Sequence, residues 1–203
     1  MSDKKGLLIV VSGPSGTGKG TICKMLTERR DDVFLSVSAT TRAPREGEVA
    51  GVLYHFMSEK EFSDNIENGG MLEHAVFCKN YYGTPKKAVD EMLAQGKNVI
   101  LEIEVQGAMK VRSKYPEGVY VFVVPPSMEE LRKRLVGRAT ETPEVVEERL
   151  TTAKREFSYI PKYNYVLLND EIEKAVERLE SIIDAEHCRI ERNIKFIEEV
   201  CNS

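Results

Sequence analysis

Leu7-Leu8-Ile9-Val10-Val11-Ser12-Gly13-Pro14-Ser15-Gly16-Thr17-Gly18-Lys19-Gly20-Thr21 sets a continuous apolar run against a glycine-rich turn and a lysine. The order of those parts decides the fold. An unbroken aliphatic run is the pattern of a strand buried on both faces. Ile22, Met25 and Leu26 then recur at helical spacing over Thr21–Arg30, so the turn joins a strand to a helix. Glycines let successive backbone N–H groups turn inward around phosphate oxygens. The helix N-terminus adds partial positive charge, and a lysine reaches the outer phosphates. Gly13, Pro14, Ser15, Gly16, Thr17, Gly18, Lys19, Gly20 and Thr21 are therefore expected to bind the phosphates of a nucleotide. One position departs from the common pattern: Gly20 stands where a serine or threonine usually ligates magnesium. Thr21 follows and can supply the hydroxyl, or the metal is held mainly through water and nucleotide oxygens.

Downstream, apolar strand-like runs alternate with amphipathic helical stretches, an α/β pattern. Buried strands are predicted at Asn98–Ile103, Val119–Val124 and Tyr165–Leu168, separated by helices such as Ser127–Val136, and parallel sheets need crossovers of this kind. The stretch 38–83 differs. It is polar, glycine-dotted and aromatic, with Tyr54, Phe56, Phe62, Phe77, Tyr81 and Tyr82, and reads as an inserted small subdomain. From Glu171 onward, Ile172, Ala175, Val176, Leu179, Ile182 and Ile183, then Ile190, Ile194 and Ile197, follow helical spacing. One long C-terminal helix, or two, closes the chain.

Composition sets the outer bounds. The 203 residues suit one domain with a sizeable core. With 41% hydrophobic and 31% charged residues, the chain is too apolar for disorder and too interrupted for a membrane span. Leu7–Val11 is roughly a third of a spanning helix, and no cleavage site follows it. Cys23, Cys78, Cys188 and Cys201 form no CxxC pair or zinc spacing, and are expected as free thiols in a reducing cytoplasm. A net charge of −4 gives no global attraction for nucleic acid.

Local clusters carry the chemistry. Ser36-Val37-Ser38-Ala39-Thr40-Thr41-Arg42-Ala43-Pro44-Arg45-Glu46-Gly47-Glu48 puts two arginines among hydroxyls in a loop broken by proline and glycine. Arginine forks bind phosphate bidentately and hydroxyls fill the remaining oxygens. Glu102 and Glu104, two apart, share one face of an extended chain. At a strand's C-terminal end beside a phosphate loop, such carboxylates can hold magnesium or its waters. Leu131 to Thr142 ends a helix in a polar loop containing Arg138, and Arg149 lies on the next amphipathic helix. Arginines closing on a transferring phosphoryl group from such a segment are chemically expected. Arg132 and Arg134 stay ambiguous by pattern, and Lys133 reads as a solvated face.

Together these stretches resemble one family. Ser-x-Ser-x-Thr-Thr-Arg-x-Pro-Arg-x-Gly-Glu over 36–48, then Tyr54, Leu72-Glu73-His74-Ala75, Asn80-Tyr81-Tyr82-Gly83-Thr84 and Val105-Gln106-Gly107, resemble guanylate kinases in content and order, over about residues 6 to 185. The resemblance implies the three-layer P-loop NTPase fold: a mainly parallel sheet, an inserted small mixed β subdomain that binds GMP, and a lid. The core would be 5–37 and 85–203, the insert 38–84, the lid about 137–157, with 186–203 a helical extension of a 5–185 domain. It implies γ-phosphoryl transfer from ATP to GMP with Mg2+, catalysed by Lys19, Arg138 and Arg149. Arg42, Arg45, Tyr54 and Tyr82 would hold the GMP phosphate, with Glu48 in the same site. Ser38, Glu73, Thr84 and Glu104 would surround the guanine, and Asn169 would lie near the adenine. Thr21 and Glu102 are the metal candidates, through water. The family usually has Asp at the position of Glu104, which leaves open whether Glu104 touches guanine directly or through water.

Elementary chemistry supports the role implied for Glu73. Guanine offers two adjacent donors, N1–H and the 2-amino group, and one carboxylate accepts both. Adenine would turn a lone pair toward the buried charge. Guanine O6 and N7 are acceptors, which suits hydroxyls such as those of Ser38 and Thr84. Three other classes compete: a monophosphate kinase for another base, which should lack the Glu73 carboxylate; a non-catalytic guanylate-kinase-like module that binds phosphopeptides, which typically loses loop or lid residues; and a GTP-hydrolysing switch, which needs an Asn-Lys-x-Asp motif. The chain keeps Lys19, Arg138 and Arg149 and has no Asn-Lys-x-Asp. The expected enzyme acts on ATP and GMP in the cytoplasm, without nucleic acid or membrane, and a homo-oligomer is compatible with the sequence.

Overall fold

A computed structural model of the chain describes residues 5–44, 48–51, 54–77, 79–137 and 142–202. The apolar run forms β1 (Leu8–Ser12), buried at all five positions. Alternating side chains along β1 set up three layers. Ile9 and Val11 enter a core with Ile22, Cys23 and Leu26 of α1 (Lys19–Arg29) and Ala175, Val176, Leu179 and Ile183 of α7 (Ile172–His187). Leu8 and Val10 face the other way, onto Val89 and Leu93 of α3 (Lys86–Ala94) and Ala108 and Val111 of α4 (Val105–Lys114). Fully burying such aliphatic side chains contributes roughly 1.5–3 kcal/mol each, so a strand buried on both faces anchors both layers at once.

The main sheet adds β2 (Val33–Leu35), β7 (Asn98–Glu102), β8 (Val119–Val124) and β9 (Tyr165–Leu168). Its order is β2-β7-β1-β8-β9, with every neighbouring pair parallel. The predicted strands at 119–124 and 165–168 coincide with β8 and β9. The predicted 98–103 ends one residue early as β7, although Ile103 N–H still donates to Val11 O. The first helix starts at Lys19, two residues before its apolar periodicity, because left-handed Gly18 (φ 89°) is its N-cap. Two C-terminal helices form, α7 and α8 (Ile190–Cys201), and α8 buries none of its residues.

The insert folds as a second, mixed sheet of β3 (Ser38–Thr40), β4 (Tyr54–Phe56), β5 (Met71–Phe77) and β6 (Asn80–Pro85), ordered β4-β3-β6-β5. Pairing of β3 with β4 is parallel and the other two pairings are antiparallel. Its helix α2 (Glu59–Glu67) has a reciprocal capping box between Ser58 and Glu61, and its buried Phe62 packs with Ala39 and Met71. Beyond β8, α5 (Met128–Val136) packs Leu131 and Leu135 against Val146, Leu150 and Ala153 of α6 (Pro143–Phe157). Among the described residues no helix is long and apolar enough to cross a membrane. Cys23 is a buried free thiol and Cys188 and Cys201 are exposed free thiols, while Cys78 lies outside the described residues.

One buried polar residue ties the opposite, N-terminal edge of the sheet. Asn98 is 1% exposed. Its Oδ1 accepts from Leu7 N–H at 3.1 Å and lies 2.9 Å from His187 Nε2, while Nδ2 donates to Asp32 Oδ2 at 2.9 Å. Asn98→Ala leaves the buried Leu7 N–H without its acceptor. It should lower the free energy of unfolding by about 1–3 kcal/mol in urea denaturation while leaving kcat and both Michaelis constants within twofold, since Asn98 lies at the far end of the strand from the phosphate loop.

Candidate active site

Four strands of the main sheet, β1, β7, β8 and β9, deliver their C-terminal ends to one edge, where ligands of open parallel sheets bind. The loop after β1 owes its shape to close approach. Gly13 (φ 140°) and Gly18 (φ 89°) occupy the left-handed half of backbone space. A Cβ on Gly13 would stand 2.5 Å from Val123 O, and one on Gly18 2.3 Å from Asn169 Nδ2. Thr17 Oγ1 donates to Pro14 O at 2.8 Å, and Asn169 Nδ2 donates to Thr17 O at 2.7 Å from below. The Asn169 amide is thus committed to bracing the loop, and Asn169 O accepts from Arg134 Nη2 at 3.1 Å. Lys19 Nζ folds back on the loop, donating to Gly13 O at 2.6 Å and Pro14 O at 3.0 Å. Those carbonyls hold the ammonium where phosphate oxygens would otherwise compete for it.

Carboxylates surround that lysine. Burial lowers the Lys19 pKa, and Glu102, Glu156 and Glu104 act in the opposite direction. Glu102 is exposed at the C-terminal end of β7, where the surrounding protein lifts its carboxyl above the ordinary range and Lys19 partly restores it. Its oxygens lie 3.3 and 3.4 Å from where a Cβ on Gly20 would be. The glycine therefore opens the space that the Glu102 carboxylate uses. Thr21 is exposed in the first turn of α1. Among the described residues no group of three or more His, Cys, Asp or Glu could hold a metal. One carboxylate and one hydroxyl beside a phosphate loop are a hard-oxygen donor set that fits magnesium keeping most of its water and taking further ligands from phosphate.

Arg149 of α6 reaches the loop directly, its Nη1 donating to Ser15 Oγ at 2.9 Å. Arg138 lies outside the described residues, as does Arg45. Arg132 pairs with Glu147, joining α5 to α6, and Arg134 Nε donates to Glu130 Oε1 at 2.9 Å. Glu156 is a residue that sequence reading missed. It is half-buried, two turns from Arg149, with its carboxyl raised by burial and acting on Lys19. Its seven-residue spacing from Arg149 on one helix was the available signal.

Across the cleft, the insert gathers its own cluster. Arg42 Nη2 contacts both oxygens of Glu48 at 2.9 Å and its guanidinium stacks 5.5 Å over Tyr54 and 5.7 Å over Phe56. Tyr54 and Tyr82 meet edge to face at 6.0 Å. Glu48 therefore orients the arginine. Ser38 is half-buried opposite Tyr54 in the β3–β4 register. Glu73, 6% exposed, accepts from Thr84 Oγ1 at 2.8 Å. Burial raises the Glu73 carboxyl, Thr84 and the ammonium of Lys110 oppose that shift, and Glu104 adds to it. Thr84 thus directs its hydroxyl proton at Glu73. Exposed Glu104, the N-cap of α4, acts electrostatically on both Lys19 and Glu73.

A sequence model of the guanylate kinase family matches residues 5–186. The guanylate kinase of Clostridium perfringens is 56% identical over 190 residues, covering 94% of this chain and 88% of that protein. That of Halalkalibacterium halodurans is 54% identical over 195 residues, covering 96% of each. The crystal structure of guanylate kinase from Anaplasma phagocytophilum superposes with a TM-score of 0.74 at 35% identity, over 92% of this chain and 88% of that one. With a glycine-rich strand-loop-helix turn on a parallel sheet and a second, mixed sheet that buries Glu73, the chain belongs to the guanylate kinase family, enzymes of ATP-dependent GMP phosphorylation.

Proposed function

We propose that guanine is read by Glu73 and that transfer is driven by Lys19 with the lid arginines. The observation that carries this reading is the Glu73 carboxylate: desolvated, held on one oxygen by Thr84, and within electrostatic reach of Glu104, which also acts on Lys19 of the phosphate loop. A carboxylate in that setting binds two adjacent N–H donors well and rejects a base that presents a lone pair. The GMP phosphate would rest on Arg42, already oriented by Glu48, with Arg45, Tyr54 and Tyr82. Ser38 and Glu104 would complete the base site, Glu104 directly or through water.

On the donor side, Gly13 to Thr21 would wrap the ATP phosphates, with Asn169 bracing the loop near the adenine. An oxygen of the GMP phosphate attacks the γ-phosphorus, a new O–P bond forms, and the bond to the β–γ bridging oxygen breaks to leave ADP. The attacking phosphate is already an anion near neutral pH, so no side chain need remove a proton. Lys19, Arg149 and Arg138 would stabilise the charge that spreads over the transferring oxygens. Thr21 and Glu102 would hold magnesium through its waters, and the ion when bound neutralises phosphate charge. The insert 38–84 and the lid 137–157 would close on the two nucleotides to exclude water. The reading is of a cytoplasmic enzyme, without nucleic acid or membrane partners.

A coupled ADP-release assay with ATP, magnesium and each nucleoside monophosphate tests this. GMP should exceed AMP, CMP and UMP in kcat/KM by roughly 10⁴-fold, and comparable turnover with AMP would refute the Glu73 assignment. Arg149→Ala should lower kcat by roughly 10²-fold or more with the GMP Michaelis constant within threefold; a parallel loss of GMP affinity would move Arg149 to the acceptor side.

A further inference from the structure

Gly107 is a glycine that its backbone does not require. It lies inside α4, and its φ is outside the left-handed region, so alanine would be the better helix former there. What glycine supplies is space. A Cβ on Gly107 would stand 2.9 Å from Glu73 Oε2 and 3.3 Å from Glu73 Cδ, its next neighbour being Ile103 Cδ1 at 3.5 Å. The carboxylate cannot swing aside without cost, because Oε1 accepts from Thr84 at 2.8 Å and the side chain is buried. Nor can β5 retreat freely. Further along α4, Lys110 Nζ donates to His74 O at 2.6 Å and Lys114 Nζ to Leu72 O at 2.8 Å, clamping the strand on both sides of Glu73.

We propose that Gly107 is a specificity-determining positioning residue, whose missing side chain seats the Glu73 carboxylate against α4 at the depth from which it reads guanine. This rests on the reading of Glu73 as the guanine acceptor. One methyl group forces the carboxylate outward by several tenths of an ångström, which both loosens its bond to Thr84 and spoils the paired alignment with N1–H and the 2-amino group. The helix itself gains from the substitution, and that gain offsets the cost of displacing the carboxylate, so loss of recognition is uncoupled from loss of fold.

The test is a double-mutant cycle of Gly107→Ala and Glu73→Ala, read by steady-state kinetics and thermal unfolding. Gly107→Ala should unfold at or above the wild-type temperature and raise the GMP Michaelis constant about tenfold, with the ATP Michaelis constant unchanged. In the Glu73→Ala background it should change the GMP constant less than twofold. If Glu73→Ala weakens GMP but Gly107→Ala does not, the proposal falls and the Glu73 reading stands. If Glu73→Ala leaves the GMP constant untouched, both fall. A Gly107→Ala effect that persists without Glu73, or that comes with a lower unfolding temperature, assigns Gly107 to packing and overturns the proposal.

Discussion

A carboxylate taken out of water must be given partners, and Glu73 on β5 is such a group. Desolvation pushes its carboxyl toward the neutral form, while the Thr84 hydroxyl and the positive charge of Lys110 and Lys114 pull it back. A neutral acid would offer guanine one acceptor and one donor. Only the ionised form presents two acceptors to two donors. Antiparallel pairing of β5 with β6 brings the Thr84 hydroxyl to the Glu73 carboxylate. The clamp from α4 then ties the second sheet to the first.

On the donor side the constraint is backbone curvature. Gly13 and Gly18 approach Val123 and Asn169 too closely for any side chain, so β8 and the residue just after β9 mould the phosphate loop. Lys19 enters a cleft whose carboxylates, Glu102, Glu156 and Glu104, favour its charged form against burial. Arg149 of α6 hydrogen-bonds Ser15 of the loop, and Leu131 and Leu135 of α5 pack against Leu150 on the same helix as that arginine. Chemistry that is mainly positioning and charge stabilisation asks for this kind of frame.

How much of this was legible in the sequence depended on whether the signal was local. The loop after β1 announced itself because strand, glycines, lysine and helix are contiguous, and β8 and β9 followed from unbroken apolar runs. The mixed insert was visible as a change in pattern, but its strand order was not, since register across a 38–85 segment is set by tertiary pairing. The nine-residue α2 was missed although its Ser58–Glu61 capping box is a local signature. Contacts that depend on how the chain folds back are not legible in the sequence, whether near, as Glu48 on Arg42 and Thr84 on Glu73, or far, as Asn169 on Thr17. Gly107 carries no side chain and becomes meaningful only when Glu73 is seen against it.

The most direct measurement is calorimetric binding of GMP and inosine monophosphate to the wild type and to Glu73→Ala. Inosine monophosphate keeps the N1–H and the phosphate but lacks the 2-amino group, so it forfeits one hydrogen bond to a charged acceptor, worth about 1.5–3 kcal/mol. The wild type should bind GMP at least about tenfold more tightly than inosine monophosphate, and Glu73→Ala should bring the two affinities within about threefold. Equal affinities in the wild type, or a preference that survives in Glu73→Ala, would contradict the paired reading of guanine by the Glu73 carboxylate.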